Sequence, residues 1–139
     1  MSRRNRAREV ALQILFEDDV NPRDSVRDLR QFVANRLRSP ELETFAITLI
    51  QGVRRNQGEL DELLDKTAEN WSLARMASTD RNVLRLGAFE ILFAETPERV
   101  AINEAVDLAK RFGSANSAPF VNGILDKLLH REDGNLTSS

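Results

Sequence analysis

Apolar residues recur every three to four positions through almost the whole chain, and no stretch alternates long enough to support a sheet. That period predicts an all-α fold. It is clearest over residues 100–129, VAINEAVDLAKRFGSANSAPFVNGILDKLL, which reads as two helices joined by a short polar loop. Ala101, Ala105, Leu108, Ala109 and Phe112 share one face of the first helix. Val121, Ile124, Leu125 and Leu128 stripe the second. Thr96 is placed to cap the first of the pair, with Pro97 in its first turn, and Gly113 to end it in a left-handed conformation. Ser117 caps the second, ahead of Pro119, while Gly123 marks a close approach by another helix.

Five more helices follow from the same spacing. The first covers about residues 3–18, with Ala7, Val10, Ala11, Ile14 and Leu15 inward and Leu12 and Phe16 widening the stripe. After a turn at Asn21-Pro22, a second runs over about 25–38. Ser39-Pro40-Glu41 opens a third, which buries Leu42, Phe45, Ala46, Leu49, Ile50 and Val53 and ends at Arg54 and Arg55. A fourth begins after Gly58. Residues 70–78 form an irregular connector in which Trp71, Leu73 and Met76 plug the join between two halves. The fifth helix, capped by Ser78 or Thr79 with Asp80 in its first turn, is apolar on two faces and therefore central. Arg85 and Glu90 lie on it and each needs water or a partner, because burying a bare charge is costly. The expected architecture is about seven helices in two packed sub-bundles, 1–70 and 71–132, forming one domain. Residues 133–139 are expected to be a disordered tail.

Composition narrows the chemistry. The 139 residues hold no cysteine and a single histidine, so thiol catalysis, disulfides and a Cys or His metal cluster are excluded. No glycine-rich phosphate loop, zinc motif or activated nucleophile is present, and no catalytic residue, metal or cofactor is assigned. No apolar run reaches the roughly 20 residues that span a bilayer, and no signal-peptide core follows the basic start, so a cytoplasmic location is expected.

A net charge of −2 argues against indiscriminate coating of nucleic acid, but the distribution of charge is uneven. Arg3, Arg4, Arg6 and Arg8 occupy the first eight residues with no acid among them. Cations at a helix N-terminus oppose its dipole, a conflict that an anionic partner relieves; a solvated, frayed end is the alternative. Arginine suits phosphate through its planar fork, whereas sequence choice on RNA needs bases to be stacked and hydrogen-bonded.

The VAINEAVDLAKRFG and FVNGILDKL segments, and DRNVLRLGAFEIL before them, resemble the signature of the NusB family of bacterial transcription antitermination factors. The resemblance implies a NusB-like helical fold and binding of boxA-type single-stranded RNA in the transcription elongation complex. It also implies a ribosomal protein, NusE, as partner. Carried over by position, it implicates Arg3, Arg4 and Arg6 in backbone contacts, and Asn116 and Phe120 in base contact and stacking. Asn116 stands where relatives often carry an acid. Asp80 matches an acidic position on the partner-binding surface, although its place near the helix dipole also accounts for it. A homodimer is left open. Two other readings stand beside this one: a protein-only helical adaptor, and a stand-alone relative of the NusB-like domain of ribosomal RNA cytosine methyltransferases. The arginine cluster and Phe120 are expected to converge on one surface.

Overall fold

The computed structural model describes residues 2–21 and 28–131. Within them lie six α-helices: α1 (Arg3–Val20), α2 (Leu29–Leu37), α3 (Pro40–Thr67), α4 (Ser78–Phe93), α5 (Glu98–Phe112) and α6 (Ser117–Leu129), with one 3-10 turn at Leu73–Arg75. No strand occurs among the described residues. The expected start of the second helix near residue 25 and the tail after residue 131 fall outside them.

Three helix starts follow directly from their caps. Ser2 Oγ accepts the Asn5 N–H at 3.2 Å, Asp28 Oδ1 that of Gln31 at 3.3 Å, and Ser39 Oγ that of Leu42 at 3.4 Å. Other helix ends depart from the sequence expectation. Pro97, not Thr96, takes the cap position of α5, because the Thr96 hydroxyl is bonded at 2.8 Å to Glu90. Gly113 leaves α5 through extended backbone (φ −96°, ψ −165°) rather than a left-handed turn. Ser117 lies one residue inside α6, with its Oγ accepting the Ser114 N–H at 2.9 Å.

The largest difference is α3. The expected third and fourth helices are one helix of 28 residues, with Arg54, Arg55 and Gly58 in its interior. The physical reason is phase. Leu49 and Val53 before Gly58, and Leu60 and Leu64 after it, are all buried, and the seven-residue step from Val53 to Leu60 is two helical turns. One exposed glycine costs only about 1 kcal/mol relative to alanine. Burial of those leucines on a continuous stripe, worth about 1.5–3 kcal/mol each, outweighs it.

α4 is the central element. Every residue from Asn82 to Glu90 is buried, with α1, α3, α5 and α6 packed around it. Glycines let two of these neighbours approach. A Cβ on Gly87 would stand 2.7 Å from Leu125 Cδ1 of α6, and one on Gly52 would stand 2.2 Å from Phe89 Cζ. Gly123, by contrast, faces open space, so no helix closes on it. A single hydrophobic core runs through the described residues of all six helices.

The central helix also answers where its two charges go. Arg8 of α1 donates from Nε and Nη2 to the two oxygens of Glu90, at 2.6 and 2.9 Å. Arg85 donates from Nε and Nη2 to Asp61 at 2.7 and 2.9 Å and from Nη1 to Asn82 Oδ1 at 3.1 Å. Asp19, at the end of α1, accepts from Ser78, Arg81 and Asn82 at the start of α4. Partial burial pushes the Asp19 carboxyl up. Hydrogen bonds from Arg81 and Ser78, with the charges of Arg85 and Arg81, outweigh that and hold its pKa below the ordinary carboxylate value.

Candidate nucleic-acid interface

The first turns of α1 present Arg3, Arg4 and Arg6 to solvent. Their placement follows from the helix period, since Asn5, Ala7 and Arg8 take the buried side. The Arg4 guanidinium lies over the Phe45 ring of α3, 4.3 Å from its centroid. Arg6 Nη1 stands 3.3 Å from Glu9, whose other oxygen is 3.0 Å from Arg111 of α5. Asn5 donates to Asp107 at 3.0 Å, so α1 and α5 run side by side in the same direction. Arg8 does not belong with the other three. It is 2% exposed and its fork is filled by Glu90, which corrects the expectation that all four arginines face phosphates.

At the far end of α5 the chain turns through residues 113–116 into α6. Asn116 is exposed at the cap position and its side chain makes no capping bond. Phe120 is half-buried. Its ring meets that of Trp71 edge-on, with centroids 5.3 Å apart and planes at 78°. Trp71 corrects a second expectation. Leu73 and Met76 do enter the core, but Trp71 is 59% exposed. The tight turn after α3 explains the split: the Trp71 N–H bonds Ala68 O at 2.7 Å and the Leu73 N–H bonds Asp65 Oδ1 at 2.7 Å, turning Leu73 inward and Trp71 outward.

The two ends do not form one compact site. Arg4 rests on Phe45 near the start of α3, whereas Phe120 shares a cleft with Thr67 and Ala68 at its end. Between Phe45 and Thr67 lie 22 residues of helix, or about 33 Å. Arg4 and Phe120 therefore stand toward opposite ends of α3 instead of converging on one surface as expected. The seam of α1 and α5 carries Arg6 and Arg111, bridged by Glu9, and α5 itself leads into the Asn116 loop.

A separate surface surrounds Asp80. This residue sits in the first turn of α4, where the helix dipole favours it, and its Oδ1 is shielded from solvent with no hydrogen-bond partner among the described residues. Thr79 beside it lines a cleft of about 380 Å³ with Arg6, Glu9, Gln13, Phe16, Arg36 and Phe112. Phe16 and Phe112 are 39% and 44% exposed there. Sequence periodicity assigned both rings to the core stripe, and nothing local in the sequence marks them as exposed. No group of three or more carboxylate or histidine ligands is gathered among the described residues, and no described helix is long and apolar enough to cross a membrane.

Comparison with known proteins gives this geometry its context. The model of the NusB family matches residues 5–130. The transcription antitermination protein NusB of Desulfatibacillum aliphaticivorans is 44% identical over 129 residues, covering 92% of this chain and 90% of that protein. The protein of the same name from Desulfitobacterium hafniense is 46% identical, covering 100% and 99%. Among solved structures, T. maritima NusB superposes with a TM-score of 0.81 at 35% identity, covering 96% of each chain. A chain from a crystal structure of antitermination factors NusB and NusE in complex with dsRNA superposes at 0.82 with 25% identity, covering 93% and 97%. With nearly its whole length matched in sequence and in fold, this chain belongs to the NusB family.

Proposed function

We propose that this protein is a transcription antitermination factor that binds boxA-type single-stranded RNA together with a NusE-type ribosomal protein, in support of ribosomal RNA transcription. The observation that carries the RNA reading is the exposed set Arg3, Arg4 and Arg6, with only Arg8 of the cluster spent internally. Arg3, Arg4 and Arg6 hold phosphates; Asn116 and Phe120 contact bases. From Arg4 on Phe45 to Phe120 beside Thr67, about 33 Å along α3, a stacked strand at 3.4 Å spacing takes about ten nucleotides, and fewer if it is stretched. The protein binds an extended transcript, not a compact hairpin.

The NusE-type partner docks on the cleft beside Asp80. Exposed Phe16 and Phe112 supply apolar contact. The domain acts as one unit over residues 1–132, in the cytoplasm, by binding and without catalysis. A protein-only adaptor role is the second reading, favoured by the same apolar cleft.

Titration of labelled boxA RNA into the protein, with and without the ribosomal protein, tests both readings. Binding that tightens when the partner is present supports the antitermination role. Capture of the ribosomal protein with no binding of RNA in either arm supports the adaptor.

A further inference from the structure

The chain contains one tryptophan, and the fold leaves its ring in water. Trp71 is the most exposed large apolar side chain among the described residues, yet it is held in place. Its backbone is pinned by the turn bond to Ala68, and its ring abuts Phe120 at 78°. Two aromatic rings near a right angle make a corner that a flat heterocycle fits, lying on one face with its edge against the other. The cleft at that corner is about 330 Å³, and Asn70, Pro119 and Lys127 contribute to its walls. Lys127 Nζ is 3.0 Å from Glu69, with both side chains more than half exposed. Such a solvated pair is weak, and a phosphate readily exchanges into it.

We propose that Trp71 is a second base-stacking residue, receiving one unpaired nucleobase of the bound RNA beside the base contacted by Phe120, with Lys127 neutralising the adjoining phosphate. The inference rests on the RNA reading above and extends the base-contacting subsite from α6 onto the turn that follows α3. A nucleobase is favoured because the corner joins two aromatic rings to a solvated lysine and lies one helical turn from Asn116. The larger apolar cleft lies elsewhere, beside Asp80.

Because Trp71 is the sole tryptophan, its emission reports this corner directly. The experiment titrates the full chain with a boxA-type oligonucleotide, following anisotropy of a label on the RNA and emission of Trp71 in parallel. Emission should be quenched along the same isotherm as the anisotropy. Trp71→Ala should weaken binding about 5- to 150-fold, and Trp71→Phe should recover most of the loss. Oligonucleotides made abasic at one position at a time should include one that still binds but no longer quenches. Melting temperature should be unchanged by Trp71→Ala, since the ring is not in the core. If the RNA binds while emission stays constant and Trp71→Ala binds as well as the parent, the inference is overturned and the RNA reading stands. If the parent binds no RNA, both fall. If emission changes with protein concentration alone, in step with a dimeric mass, the ring belongs to self-association and the inference is again overturned.

Discussion

Arg8 and Glu90 form a two-pronged ion pair, 2.6 and 2.9 Å, across 82 residues of sequence, and both side chains are almost wholly buried. The pair ties the start of α1 to the end of the central α4. Thr96 adds a third bond to the same carboxylate, at 2.8 Å.

Breaking that pair from one side strands a charge in the interior. Arg8→Ala should cost about 3–5 kcal/mol in denaturant unfolding. The double replacement Arg8→Met, Glu90→Leu should recover most of that, because no unpaired charge remains. RNA affinity of the double variant should match the parent, since Arg8 does not reach the surface.

Two glycines of α3 should respond to alanine with opposite sign. A Cβ at Gly52 meets the Phe89 ring at 2.2, 2.4 and 2.9 Å, so Gly52→Ala should destabilise by about 1–3 kcal/mol through overpacking. At Gly58 nothing lies within 4 Å, and Gly58→Ala should stabilise by up to about 1 kcal/mol. Thermal melts of the two variants, read side by side, check this.

Acid should loosen the junction of α1 with α4. The Asp19 carboxyl titrates below its ordinary value of 3.8 in the folded protein, so its stabilising contribution is complete above that value. It is lost as pH falls through the folded-state pKa. Asp19→Asn should lower stability by about 1.5–3 kcal/mol at pH 7 and flatten the decline below pH 4. Unfolding free energies measured from pH 7 down to pH 2 give the comparison.

Removing the three exposed arginines should affect binding far more than folding. Arg3, Arg4 and Arg6 replaced together by alanine should reduce the log–log salt slope of RNA binding by about 2, at about 0.7 per phosphate contact. The stability loss should stay near 1 kcal/mol, chiefly from the Arg4–Phe45 contact. Affinities measured at several salt concentrations, with melts alongside, separate the two effects.

How much of this was legible beforehand depends on the range over which each residue's environment is set. The helices were read from local periodicity, and Ser2, Asp28 and Ser39 act within three residues of themselves. The central role of α4 was read from its two apolar faces. The partners of Glu90 and Arg85 were demanded by charge but could not be named, because Arg8 and Asp61 arrive from 82 and 24 residues away. Arg8 stands in phase with the buried Ala11 and Leu15, which separates it from Arg3 and Arg6, but its partner lies too far along the chain to be named. Residue preference favours a helix break near Gly58, but the unbroken apolar stripe from Leu49 to Leu64 carries the helix through it. Trp71 turns outward in the connector after α3, where no helix period applies, whereas Phe16 and Phe112 lie on helices. Periodicity says which side of a helix is apolar, not where the neighbouring helices stop.

An uninterrupted α3 works as a measuring stick. Since one stiff rod fixes the gap between the Phe45 end and the Thr67 end, the molecule has no hinge there with which to shorten its reach. If RNA binds as proposed, a transcript fragment too short to touch both ends can occupy only one at a time and forgoes the gain of simultaneous attachment. Ligand length, as much as ligand sequence, is then what the proposed site discriminates.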